Sequence, residues 1–107
     1  MNAFEDLYDT ITARQANPQQ GSYTCYLFEQ GLDKILKKLG EECAETIIAA
    51  KNDNREEVVL ELSDLAFHAA VLMAQLGIHP NAVSEELERR ALKQGNLKQM
   101  KIVDKNT

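Results

Sequence analysis

The stretch VVLELSDLAFHAAVLMAQLG, Val58 to Gly77, limits what this chain can fold into more than any other. At about 100° per residue, a helix through it turns Val58, Val59, Leu60, Leu62, Leu65, Phe67, Val71, Leu72 and Met73 in nearly every direction. Glu61, Asp64 and His68 fall together in a wedge of about 60°. A helix apolar on most sides must be covered by several neighbours. A chain of 107 residues makes a single domain and supplies few of them. The expectation is a helical bundle completed by a second copy. The polar wedge then needs its own explanation, because carboxylates set among apolar side chains are costly unless something pairs with them.

The rest of the chain also reads as helices. Phe4, Leu7, Tyr8 and Ile11 recur at helical spacing, predicting a helix over about 3–16 that ends near Asn17-Pro18. A loop, NPQQGSYT, follows. Ser22 or Thr24 caps a short helix reaching about Phe28, and Gly31 breaks the chain before the next long one. From Leu32 to Lys51, the residues Leu32, Ile35, Leu36, Leu39, Cys43, Ile47 and Ala50 share an apolar face, opposite a stripe of Lys34, Lys38, Glu41 and Glu45. KNDN closes this helix. Its partner runs from about Arg55 to Leu76 and stops at Gly77, and Pro80 opens a last helix to about Leu92. There is no strand pattern and no repeat, so the class is all-α. The division expected is one domain over 1–95 and a basic tail over 96–107.

Charge narrows the partners. Residues 1–88 hold 16 acidic and 6 basic residues, whereas 89–107 hold six basic residues against Asp104 alone. An acidic body is a poor nucleic-acid surface. No apolar run approaches the ~20 residues of a membrane span and no signal peptide is evident, so the cytoplasm is expected. Cys25 and Cys43 are too few for a zinc site or a disulfide framework. Cys43 lies on the apolar side of its helix and reads as a small buried hydrophobe.

The chemistry lies in two matched pairs. GEECAE places Glu42 and Glu45 three residues apart on one helix face, and Glu61 and Asp64 repeat that spacing on the next helix. The connection is short, so the two helices form an antiparallel hairpin. Glu45 and Glu61 each lie about eight residues from its turn, which brings the pairs to the same height. Taken alone, Glu42 and Glu45 would suit a solvated face; Glu61 and Asp64 have no broad polar face to occupy. Four convergent carboxylates repel unless a cation sits among them. All-oxygen ligation suits Mg²⁺, with positions left for water and phosphate. Glu42, Glu45, Glu61 and Asp64 are the expected ligands, with Glu41 beside them. Lys34, Lys38, Lys51 and Asn52 are the candidates for holding a polyphosphate, although each also suits a solvated surface. His68 reads first as a buried histidine satisfied by a backbone carbonyl or a neighbouring helix, and second as a donor to Asp64. His79 receives no role.

Glu42-x-x-Glu45, fifteen residues, then Glu61-x-x-Asp64 resembles the signature of the MazG-like all-α nucleotide pyrophosphohydrolases. GSYTCYLFEQGLDKILKKLGEECAETIIAAKN, residues 21–52, and ELSDLAFHAAVLMAQLGI are similar to the phosphoribosyl-ATP pyrophosphohydrolases of histidine biosynthesis. The similarity covers about residues 4–90. It implies Mg²⁺-dependent hydrolysis of the α–β anhydride of phosphoribosyl-ATP to phosphoribosyl-AMP and pyrophosphate by a homodimer. It also implies that a separate cyclohydrolase acts next, since some members carry that enzyme fused and this chain is too short for it. The chain departs from the family at Cys25-Tyr26 and after Arg90. Two other readings stand beside this one: a pyrophosphohydrolase of the same fold acting on free dNTPs, and a non-enzymatic dimerisation module with its carboxylates paired to Arg89 or Arg90.

Overall fold

A computed structural model describes residues 2–93, and the expected basic tail at 96–107 lies outside the described residues. Five helices, α1 (Ala3–Ala16), α2 (Tyr23–Gln30), α3 (Leu32–Lys51), α4 (Arg55–Leu76) and α5 (Pro80–Ala91), follow one another, with no strand among the described residues. The protein is all-α, as expected.

Local chemistry sets the boundaries. Asn2 caps α1 by accepting from the Glu5 N–H at 2.8 Å, and Ser22 caps α2 by accepting from Cys25 at 3.2 Å. Gly31 ends α2 at φ 93, a conformation open to glycine at little cost. The α3–α4 turn needs one left-handed residue, and Asp53 takes it at φ 54. Asn54 then caps α4 through Glu57 at 3.1 Å. Gly77, at φ 70 and ψ 29, closes α4 with the Ile78 N–H reaching the Met73 carbonyl at 2.8 Å. His79 has a structural role that the sequence reading did not assign it. Its Nδ1 accepts from the Asn81 N–H at 3.1 Å at the start of α5, and its ring meets Tyr8 edge-on at 5.3 Å.

The α3–α4 hairpin is the backbone of the molecule, and α1 and α2 pack on one half of it. Ile11, Leu27, Ile35 and Val71 are fully enclosed there, joined by Tyr8, Ala70 and Ala74. The half nearer the turn is bare in the single chain: Ile47, Ile48, Val59, Leu60 and Leu62 are exposed. Two expectations are corrected here. Cys43 is exposed rather than buried. The inward stripe of α3 is Ile35, Glu42 and Ala49, about 100° round the helix from the face of Leu36, Cys43 and Ile47. The reason is the same in both cases: the face of α3 turned to its main neighbour, α4, is the first stripe, and the second is left facing away.

Candidate active site

The inward stripe of α3 carries Glu42 between Ile35 and Ala49, and that position decides its environment. Glu42 is only 6% exposed. Glu45, one turn further on, and Glu61, across the hairpin on α4, each bring a carboxylate oxygen to it, and the three oxygens lie within 4.8 Å of one another. Expected from spacing alone, the meeting of the two helices at this height is found.

The electrostatics follow from proximity. Burial raises the Glu42 pKa, and the Glu45 carboxyl, the Glu45 charge and the Asp64 charge raise it further, opposed by Lys38. Glu61 is pushed up to about 7, first by desolvation and then by Glu45, Glu42 and Glu57. The Glu42 Oε2 is buried with no hydrogen-bond partner among the described residues. A buried acceptor with no partner among the described residues, set among like charges, is a place where either a proton or a cation would relieve the repulsion.

The remaining expected residues separate into two groups. Asp64 is exposed and its charge is felt at Glu42, but its carboxylate is not among the three that converge. Glu41 stays outside the trio and pairs with Lys38 at 3.4 Å. Lys34 lies over the Tyr26 ring, its Nζ 6.0 Å from the centroid. Lys51 and Asn52 end α3 at the turn, six residues and about 9 Å of helix rise beyond Glu45. No hydrogen bond or ion pair among the described residues joins them to the cluster.

His68 is 4% exposed. Its Nδ1 is 2.8 Å from the Asp64 backbone carbonyl, which is the first of its two expected roles rather than a bond to the Asp64 carboxylate. Its other nitrogen, Nε2, lies 2.9 Å from the hydroxyl of Tyr23. Sequence reasoning missed Tyr23. The available signal was the second ring nitrogen of a histidine on an apolar helix, which must also find a partner. Beside Tyr23 and Tyr26 a cleft of about 860 Å³ opens towards Arg14 and Gln15 at the end of α1 and Gln20 in the loop that follows.

The phosphoribosyl-ATP pyrophosphohydrolase family model matches residues 4–91. The chain belongs to that family. A phosphoribosyl-ATP pyrophosphatase of Clostridium botulinum strain Kyoto is 48% identical over 97% of this chain and 96% of its own length. One from Listeria monocytogenes is 55% identical over 79% of this chain and 82% of its own. A histidine biosynthesis bifunctional protein HisIE of Caldanaerobacter subterraneus subsp. tengcongensis is also 55% identical, over 78% of this chain; the match spans 41% of that longer protein. The carboxylate trio and the Tyr23–His68 pair lie within the matched residues, so both are features of a phosphoribosyl-ATP pyrophosphohydrolase domain.

Proposed function

We propose that Glu42, Glu45, Glu61 and Asp64 hold Mg²⁺ and form the catalytic centre for the family's reaction, hydrolysis of phosphoribosyl-ATP to phosphoribosyl-AMP and pyrophosphate in histidine biosynthesis. The observation that carries this reading is the unpartnered, buried Oε2 of Glu42 inside the trio. The donor set fits: three convergent carboxylate oxygens, with Asp64 one turn along α4 from Glu61, suit a hard divalent ion, and no thiolate or imidazole is among them. When bound, such an ion neutralises phosphate oxygens and lowers the barrier to displacement at phosphorus.

The chain's own residues do the rest. Lys38, one turn before Glu42 on α3, would neutralise non-bridging oxygens of the phosphate chain nearest the cluster, and Lys34, a further turn back beside Tyr26, those beyond it. Glu41 keeps Lys38 in place through their ion pair. The attacking water binds against the carboxylates, one of which accepts its proton as the new oxygen–phosphorus bond forms and the α–β anhydride bond breaks. Pyrophosphate leaves with its charge already matched, so no covalent intermediate is needed. The cleft beside Tyr23 and Tyr26 supports a place for the phosphoribosyl-purine end of the substrate. Lys51 and Asn52 would meet the substrate only where it extends towards the turn.

Completion by a second copy belongs to the same reading, supported by the bare apolar half of the hairpin. No helix among the described residues is long and apolar enough to cross a membrane. The test is pyrophosphate release from phosphoribosyl-ATP and from the common dNTPs, with and without Mg²⁺. Metal-dependent release from phosphoribosyl-ATP alone is the expected result. Preference for dNTPs would move the substrate while keeping the site, and turnover unchanged by a chelator would overturn the metal.

A further inference from the structure

We propose that Tyr26 is a specificity-determining residue: its half-exposed ring, backed by Tyr23, is the surface on which the purine of the substrate stacks inside the cleft at the end of α1. The inference rests on the reading above that this cleft takes the phosphoribosyl-purine end.

Two rings, Phe67 from α4 and Tyr26 from α2, stack against Tyr23, at 6.0 Å and 27° and at 6.1 Å and 24°. Tyr23 is fixed a second time by its hydroxyl, 2.9 Å from the Nε2 of buried His68. Tyr26 therefore rests on a ring that is itself held from two sides. Its own ties are fewer: among the described residues Tyr23 is its one aromatic neighbour, and its hydroxyl makes no hydrogen bond. It is 43% exposed and lines the cleft. Lys34 Nζ lies 6.0 Å from its centroid, the outer edge of a cation–π contact, and so does not bar a flat partner from the ring. A large aromatic side chain left half in water on the wall of a cleft gains most from being covered by another flat group.

The surroundings select a nucleotide as that group. Besides the ring, the cleft is lined by Gln19, Gln20 and Arg14. Side-chain amides match the donors and acceptors on the edge of a base, and a guanidinium matches a phosphate such as the one on the ribosyl end. An apolar ligand would leave those groups unpaired. The distance to the carboxylates is also on the scale of a nucleotide. Lys34, beside the Tyr26 ring, precedes Glu42 by eight residues on α3, about 12 Å of helix rise. A base on Tyr26 leaves its sugar and phosphates to run along α3 past Lys38 to the trio. Stacking on an aromatic side chain is open to every base and is a stronger contact than an exposed cation over the same ring, so the purine prevails over Lys34.

The experiment pairs steady-state kinetics on phosphoribosyl-ATP with an NMR titration of the full chain with AMP, both in Mg²⁺. Tyr26→Phe keeps the ring and should leave KM within about twofold, whereas Tyr26→Leu keeps apolar cover over Tyr23 but removes the flat face. The leucine variant should raise KM about tenfold, the scale of one lost base stack, with kcat altered much less. Contact with the base itself is read in the titration: AMP should move the Tyr26 ring protons upfield, and ribose 5-phosphate, which has no base, should not. An unchanged KM in Tyr26→Leu, no upfield movement with AMP, or equal movement with ribose 5-phosphate would each overturn the stack while leaving the carboxylate centre and its reaction in place. If the unaltered protein releases no pyrophosphate from phosphoribosyl-ATP, the functional reading falls and the AMP titration still decides the stack. The titration uses the unaltered protein, so it decides even where a variant folds poorly.

Discussion

Glu42 is the residue on which the site turns, because it combines a position facing α4 with a carboxylate oxygen that finds no hydrogen-bond partner among the described residues. Its pairing with Glu45 and Glu61 was legible in the sequence, since helical spacing and the short turn fix height and face together. The departure of Asp64 from the trio was not, because spacing fixes where a Cα sits and leaves the reach of the side chain open. The like charges make a prediction about the metal-free protein. Glu61→Gln removes one negative charge from the knot and keeps its shape. In chelator at pH 8 the variant should melt at a higher temperature than the unaltered protein, whereas its turnover with Mg²⁺ should fall by about two orders of magnitude or more. Mg²⁺ should raise the Tm of the unaltered protein by mass action and raise that of the variant less. Paired melting curves and pyrophosphate release check both arms; a variant that melts lower in chelator would mean that Glu61 stabilises the fold.

Helix boundaries were legible because several of their signals are local: Ser22 accepts from the first turn of α2, and Gly31 and Gly77 take the positive φ that favours glycine, whereas the caps at Asn2 and Asn54 were not anticipated. Losing one cap is informative. Asn54→Ala should cost about 1 kcal/mol, a fall in Tm of about 4–8 °C for a domain this size, with KM unchanged because the turn lies away from the trio. The inward face of α3 was harder, since hydrophobicity marks surfaces that want covering without saying which neighbour covers them. Helix α5 offers a pH test. Arg89 and Arg90 hold the Glu86 carboxyl down at about 2, well below its ordinary 4.5, through hydrogen bonds and charge. A depressed carboxylate contributes stability above its unfolded pKa and loses it as pH falls towards the folded value. Amide protection in α5 should therefore decline between about pH 4.5 and 2, and Glu86→Gln should abolish that dependence. Added salt should weaken protection at neutral pH, because these groups are exposed.

Across the whole molecule, burial and charge are divided between the two halves of one hairpin. The half covered by α1 and α2 holds the core and His68; the half towards the turn presents Ile47 at 64% and Val59 at 63% exposure, with Leu60 and Leu62 beside them. Soluble monomers leave single apolar side chains in water but seldom a contiguous group of this kind. The length of Val58–Gly77 and its apolar content had already implied more cover than one chain supplies, and the bare half shows where that cover is missing. A second copy laid against it would bury the same residues on both sides, as a twofold interface requires. Ile47→Glu tests this without touching the core, because the side chain is already exposed in the single chain. The unaltered protein should sediment as a dimer and the variant should shift towards monomer with its helical content retained. Its turnover should fall as well if the second copy steadies the hairpin on which Glu45 and Glu61 are mounted. A monomeric unaltered protein at tens of micromolar with full activity would remove the second copy from the picture and leave the apolar face of α3 without an explanation.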